Sequence, residues 1–266
     1  MILRHMKTAS ILVASMTITM FVAGGFSLQA RQAVETKKAD RAKKKKEGIN
    51  DQFKNPDVKS FTKRFESETR EVYARRKEIA DALGLKPGMG IADIGAGTGF
   101  YSRLFAERVG PTGKVYAVDV SPTFLKHIDE QSKKMGLEDR ITTVKADQNS
   151  ANLPPNSVDR VFICDVYHHF EHPDKELATL HQALRDGGEL FIIDFDRVEG
   201  KSSEFVLKHI RASKDVFAKE IAAAGFEKAP IEPEIKLKET FMFRFKKVAK
   251  SGESSAAKGA SAGAER

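Results

Sequence analysis

From residue 57 to 249, short apolar runs alternate with longer amphipathic stretches. Phe65, Val72, Ile79, Ala80 and Leu83 recur at helical spacings and predict a helix over residues 64–83. Gly84 and then Pro87-Gly88 stop it. Apolar runs at 90–94, 114–118, 141–144, 158–164 and 189–193 read as strands. The stretches 100–109, 122–135, 174–184 and 214–224 read as helices, each followed by glycine (Gly110, Gly136, Gly187-Gly188 and Gly225). Residues 153–156 form a loop, and 235–237 and 240–245 read as two late strands joined by a short polar link. Strands alternating with helices imply parallel βαβ units. Continuous apolar strands require a sheet covered on both faces. The expected fold is therefore α/β: a doubly wound, mainly parallel seven-stranded sheet with an antiparallel edge hairpin. In such sheets ligands sit beyond the carboxyl ends of the strands, so residues just past each strand are the ones to inspect.

Charge changes the picture only at the ends. The chain of 266 residues carries a net +8. Residues 1–30 contribute +2, residues 31–47 contribute +5 and residues 250–266 contribute +1, so the body balances to zero. A nucleic-acid-binding domain usually shows its own basic excess, so a nucleic-acid partner is not expected. A single cysteine, Cys164, excludes a disulfide scaffold and reads as an inert core thiol.

Arg4 and Lys7 precede an apolar run from Ile11 to Leu28 and small residues ending near Ala30. This pattern is that of a secretory signal peptide, with export to a periplasmic or extracellular location. An uncleaved anchor is the alternative: the flank after the run is more basic than the flank before it, which would hold the body in the cytoplasm. Residues 31–56 read as a basic linker, whose Lys43 to Lys46 run offers contact to a membrane surface. Residues 250–266 read as a disordered tail.

The strongest chemical signal is Asp93-Ile94-Gly95-Ala96-Gly97-Thr98-Gly99, between a strand and a helix. Gly95 and Gly97 permit a tight turn and close approach of a ligand to the backbone. The next helix offers free N–H groups and its positive dipole end. The dinucleotide fingerprint needs glycine where Phe100 stands, which disfavours a nicotinamide oxidoreductase. Asp119, followed by Val120, ends the second strand and is placed to accept hydrogen bonds from ribose hydroxyls. Asp147-Gln148 follows the third strand; the pair suits an adenine amino edge, and Asp147 equally suits a turn. Asp165 follows the fourth strand and leads into Val166-Tyr167-His168-His169-Phe170.

D-I-G-A-G-T-G followed by Asp119, Asp147 and Asp165 at successive strand ends resembles the class I S-adenosylmethionine-dependent methyltransferases, and within them the small-molecule group often labelled type 11. The P-G-M-G lead-in at 87–90, R-D-G-G-E-L at 185–190 and A-A-G-F at 223–226 match as well; the likeness covers roughly residues 60–247. The resemblance implies a Rossmann-like methyltransferase fold with S-adenosylmethionine as cofactor. It implies that Asp93, Gly95, Ala96, Gly97, Thr98 and Gly99 cradle the methionine and ribose. Asp119 would hold the ribose hydroxyls, Asp147 with Gln148 the adenine amino group, and Asp165 would sit near the transferred methyl.

Tyr101 is a candidate cover for the cofactor. His168 and His169 are candidate catalytic bases, since imidazole titrates near neutral pH. The histidine pair with Asp165 raises a metal site, but His168-His169-x-x-His172 lacks the helical H-E-x-x-H arrangement and Pro173 disfavours a helix there, so no metal is expected. Asp165-Val166-Tyr167-His168 lacks the two prolines of nucleobase amino methyltransferases. The expected acceptor is a small molecule offering an O, N or C nucleophile. Phe53, Phe61 and Phe65 before the first strand, and Phe195 and Phe205 after the fifth, suit an apolar one and equally suit plain core. The competing reading is an adenosylmethionine-binding module without catalysis, exported or membrane-tethered. Neither the acceptor atom nor the oligomeric state follows from the sequence.

Overall fold

The structure is a computed structural model that describes residues 50–249. The expected leader (1–30), most of the basic linker and the tail (250–266) lie outside the described residues. The chain divides at Asp51/Gln52, and the domain described below follows that boundary.

An N-terminal segment carries α1 (Val58–Phe65), α2 (Glu71–Ala74) and α3 (Arg76–Ala82). Then come β1 (Gly90–Ile94), α4 (Phe100–Val109), β2 (Lys114–Asp119), α5 (Pro122–Met135), β3 (Ile141–Lys145) and β4 (Val158–Cys164). A short 3-10 turn (Tyr167–His169), α6 (Pro173–Ala183), β5 (Leu184–Phe195), α7 (Glu204–His209), α8 (Lys214–Ala223), β6 (Phe226–Ala229) and β7 (Thr240–Lys247) complete the order. The seven strands form one sheet, in the order β3-β2-β1-β4-β5-β7-β6. β1 to β5 are parallel, and β7 runs antiparallel to both neighbours. The chain winds outward from β1 to β3 and then returns to β4 on the other side of β1. The reversal of strand order, where such sheets bind ligands, therefore lies between β1 and β4.

The apolar strands are divided between two cores. Side chains alternate across a strand, so neighbouring residues bury on opposite faces. Ile91, Phe162 and Phe191 pack on one face with α3, α4 and Ile128 of α5. Ala92, Ile163 and Ile192 pack on the other with α6 and α8. At about 25 cal/mol per Å² of apolar surface removed from water, this two-sided burial is the main force holding the sheet between its helices.

Two sequence expectations need correction. The single helix over 64–83 is three helices. α1 ends at Phe65, and the Ser67 hydroxyl and carbonyl turn the chain by accepting from the N–H groups of Thr69 (3.3 Å) and Arg70 (2.9 Å). Local side-chain bonds of this kind compete with the helical ladder. The late hairpin also uses a different strand. Residues 235–237 are not a strand; the partner of β7 is β6, which starts one residue after Gly225, where φ is +92°. The span between β6 and β7 holds Pro230 and Pro233, which lack the N–H that a ladder needs.

Candidate functional site

The carboxyl ends of β1, β2, β4 and β5 bring four aspartates to one edge of the sheet. Between β1 and α4 the chain makes the glycine turn. Gly95, Gly97 and Gly99 all have positive φ (68°, 54° and 74°). Side chains would not fit at two of them: a Cβ at Gly95 would lie 2.4 Å from Val166 Cγ2, and one at Gly99 would lie 2.7 Å from Ile128 Cγ1. The N–H groups of Gly95 and Ala96 both donate to the Val118 carbonyl (2.8 and 3.0 Å), which ties the turn to β2. α4 begins at Gly99 with no side-chain cap, so its first turn points unclaimed N–H capacity toward this edge.

Asp119 organises the turn. One carboxylate oxygen accepts from Gly97 N–H (2.9 Å) and the other from Ser121 N–H (2.8 Å). Burial pushes its carboxyl up, and these two N–H groups oppose that shift. Asp93 lies beneath the turn, buried, and accepts from the Ser102 hydroxyl at 2.6 Å. Burial pushes its carboxyl up to about 7, with the nearby Asp119 charge adding to the shift. Thr98 is fully buried.

The other predicted residues divide. Tyr101 is in the core, not at the edge: its ring packs on Phe105 and Phe162, and its hydroxyl donates to the Val72 carbonyl at 2.7 Å. Tyr167 is likewise fully buried and donates to Glu220 at 2.9 Å. Val120, Asp147 and Gln148 are exposed. The Asp147 carboxylate closes its own turn by accepting from Asn149 N–H (2.8 Å), which holds its carboxyl below the usual range. His172 supplies the carbonyl that starts α6, accepting from the N–H groups of Lys175 and Glu176, both at 3.0 Å.

Asp165 has a left-handed backbone (φ 56°), unusual for a residue with a side chain. Its Oδ2 is paired with Arg70 from the N-terminal segment, while its buried Oδ1 has no hydrogen-bond partner among the described residues. Burial pushes the Asp165 carboxyl up against the pull of Arg70. The same segment clamps the turn a second way. Glu66 pairs with Arg103 (2.9 Å), and Arg103 also donates to the Thr98 carbonyl (2.9 Å). The Phe65 ring lies over Gly97, 3.3 Å from where a Cβ would stand.

His168 and His169 sit just beyond Asp165. His168 is buried; its Nδ1 bonds Asp194 Oδ1 at 2.8 Å, and its backbone N–H donates to Asp194 Oδ2 at 3.0 Å. The fully buried Asp194 thus fixes the ring and sets the proton on Nδ1. His169 is held well below the usual imidazole range, at about 2, by burial and by the neighbouring His168 and His209. Its ring meets Phe53 edge-on at 5.3 Å between centroids. His209, from the end of α7, packs against both histidines and stacks on Phe205 at 5.0 Å.

Arg70, Asp194 and His209 stand among the candidate residues at this edge, and the sequence pattern did not single them out. For Asp194 a signal existed, an acid at the end of an apolar strand; for Arg70 and His209 there was none, because their partners are distant in the chain.

Known proteins share this architecture. Residues 91–188 match a family described as a methyltransferase domain. A ubiquinone/menaquinone biosynthesis C-methyltransferase of Bordetella parapertussis is 32% identical over 114 residues, 43% of this chain and 43% of that protein. One of the same name from Hahella chejuensis is 32% identical over 117 residues, 44% of this chain and 47% of its own length. The match thus spans less than half the length of these relatives. The crystal structure of a SAM-dependent methyltransferase from Aquifex aeolicus is 27% identical, has a TM-score of 0.62, and covers 73% of this chain and 100% of its own. A geranyl diphosphate methyltransferase in complex with SAM shares the fold at a TM-score of 0.55 and 14% identity, covering 66% of this chain and 85% of that one.

Proposed function

We propose that this chain, which carries a class I S-adenosylmethionine-dependent methyltransferase domain, moves a methyl group from that cofactor to a small apolar acceptor. The cofactor supplies a methyl bound to positively charged sulfur. The residues at the sheet edge fit it. Gly95, Gly97 and Gly99 leave the turn bare of side chains, Asp119 fixes its backbone, and Asp165 keeps one buried oxygen for a further donor. A positively charged ligand group would also relieve the burial of Asp93 and Asp165 as anions.

The observation that carries the acceptor assignment is a run of aromatic rings along this edge. Phe61 meets Phe53 at 5.8 Å, Phe53 meets His169 at 5.3 Å, His169 meets His209 at 5.3 Å, and His209 stacks on Phe205 at 5.0 Å. The two segments expected to build the acceptor pocket therefore converge on the histidines. Phe205, stacked on His209 and 60% exposed, is the solvent end of this run. The relatives named as ubiquinone/menaquinone biosynthesis C-methyltransferases support a quinone-like ring acceptor and make carbon the first nucleophile to test. Holding acceptor and methyl in line is the main contribution expected of the protein. Where the nucleophile must lose a proton, His168 is the base, with Asp194 keeping Nε2 free of its own proton.

The test is calorimetric titration of S-adenosylmethionine and S-adenosylhomocysteine into the purified chain, then transfer of labelled methyl to a panel of quinols and phenols. Micromolar binding with transfer to a ring acceptor is expected. Binding without transfer to any acceptor favours the non-catalytic module, and no binding to a cooperatively folding protein removes the reading.

A further inference from the structure

Three imidazoles meet beyond the end of β4. One ring nitrogen from each of His168, His169 and His209 lies within 4.8 Å of the others. Their ring centroids are 4.0, 5.1 and 5.3 Å apart. The group is made of imidazoles alone, and the Asp194 carboxylate bonds one ring nitrogen of His168, Nδ1. That bond leaves His168 Nε2, which is buried and has no hydrogen-bond partner among the described residues. A histidine that gives one ring nitrogen to a buried carboxylate, keeps the other unpartnered and stands in a cluster of imidazoles has the chemistry of a metal ligand.

We propose that His168, His169 and His209 bind a divalent transition metal ion, zinc by preference. Three neutral imidazoles without thiolate suit zinc, copper, nickel or iron, and do not suit magnesium or calcium, which take oxygen. Metal–nitrogen bonds of about 2.1 Å place two tetrahedral ligands about 3.4 Å apart. The 4.8 Å limit leaves roughly 1.4 Å to close. His209 ends a six-residue helix, so closing the site takes a movement of that helix end or of the His209 side chain. Three protein ligands leave a fourth position open for water or an acceptor atom.

The sequence expectation of no metal weighed His168, His169 and His172 together with Asp165, all from one loop. His172 is spent on starting α6, and the third ligand comes from α7 instead.

The role of the ion, unlike its presence, rests on the methyltransferase reading. The cluster adjoins Asp165 and the aromatic rings proposed to receive the acceptor. An ion there would take an oxygen of the acceptor and lower the pKa of that hydroxyl, so that its proton leaves to water and His168, spent as a ligand, is no longer the base. The acceptor class is then narrowed to molecules with a phenolic or enolic hydroxyl beside the atom to be methylated.

The experiment uses the untagged full chain, stripped with a chelator and titrated with zinc against a chromophoric competitor. One ion per chain is expected, and cobalt substitution should give the absorption of a tetrahedral site. His209→Phe keeps the stack on Phe205 but removes both nitrogens, and should weaken zinc at least tenfold. Asp194→Asn should weaken it about 10- to 100-fold through its effect on His168. His127→Gln, outside the cluster, should bind like the parent. Thermal melts confirm that each variant folds. Absence of stoichiometric binding to folded parent overturns the proposal, as does unchanged affinity in His209→Phe. Adenosylmethionine titration of the stripped chain reads the methyltransferase assignment separately, so failure of one leaves the other standing.

Discussion

Asp93→Asn isolates what burial does to the carboxylate under the glycine turn. The folded protein holds the Asp93 proton up to about pH 7, against an ordinary value of 3.8. Between those values the folded state binds more protons than the unfolded chain, so Asp93 makes stability fall as pH rises. Each tenfold change in proton affinity corresponds to about 1.4 kcal/mol, so the full cost at neutral pH approaches about 4 kcal/mol. Asparagine has no charge to desolvate, and Ser102 can rotate its hydroxyl to bond either atom of the amide. The difference in unfolding free energy between Asp93→Asn and parent should therefore grow in favour of the variant from about pH 4 to pH 7 and then level off. Urea unfolding of both proteins across that range measures it; titrating groups not coupled to Asp93 cancel in the difference, and Asp119, whose charge adds to the shift, is the neighbour that does not. A difference that does not change with pH would refute the reasoning. Adenosylmethionine affinity should move the opposite way: a cationic ligand gains from an ionised Asp93, so the variant should bind it more weakly at pH 8 than the parent does.

Three other substitutions probe the same edge. Gly99→Ala combines a left-handed residue with a 2.7 Å approach to Ile128, and should cost about 2–4 kcal/mol in thermal or urea unfolding, with cofactor binding lost in calorimetry. Asp119→Ala releases the N–H groups of Gly97 and Ser121, and should weaken adenosylmethionine about 10- to 100-fold, at about 1.5–3 kcal/mol for a charged acceptor. Unchanged binding would sink the ribose assignment. Arg70→Met keeps the packing on Phe65 but strands Asp165, and should destabilise the fold by about 2–3 kcal/mol, with a companion Asp165→Asn recovering most of the loss in a double-mutant cycle.

The sheet, and the edge at which its parallel strands end, were legible in the chain alone. Apolar runs alternating with glycine-stopped amphipathic stretches imply buried strands between helices, and β1, α4, α5 and β4 lie at the bounds their periodicity implies. The glycine turn and Asp119 were legible for the same reason: a tight turn, and an acid one strand further on, are local or near-local patterns. What faces what was settled by packing. Tyr101 reads as a cofactor cover from its place on the helix after the turn, yet the three-helix N-terminal segment brings the Val72 carbonyl to its hydroxyl and holds it in the core. Arg70 reaches Asp165 across 95 residues, and Asp194 reaches His168 across 26. His209 joins two histidines of another loop because α7 returns over the same edge. Periodicity records which face of an element is apolar, since burial acts on every turn or alternate residue of it. A single polar contact between distant elements leaves no repeat in the chain, because it depends on where the packed elements stop and not on how each one is patterned.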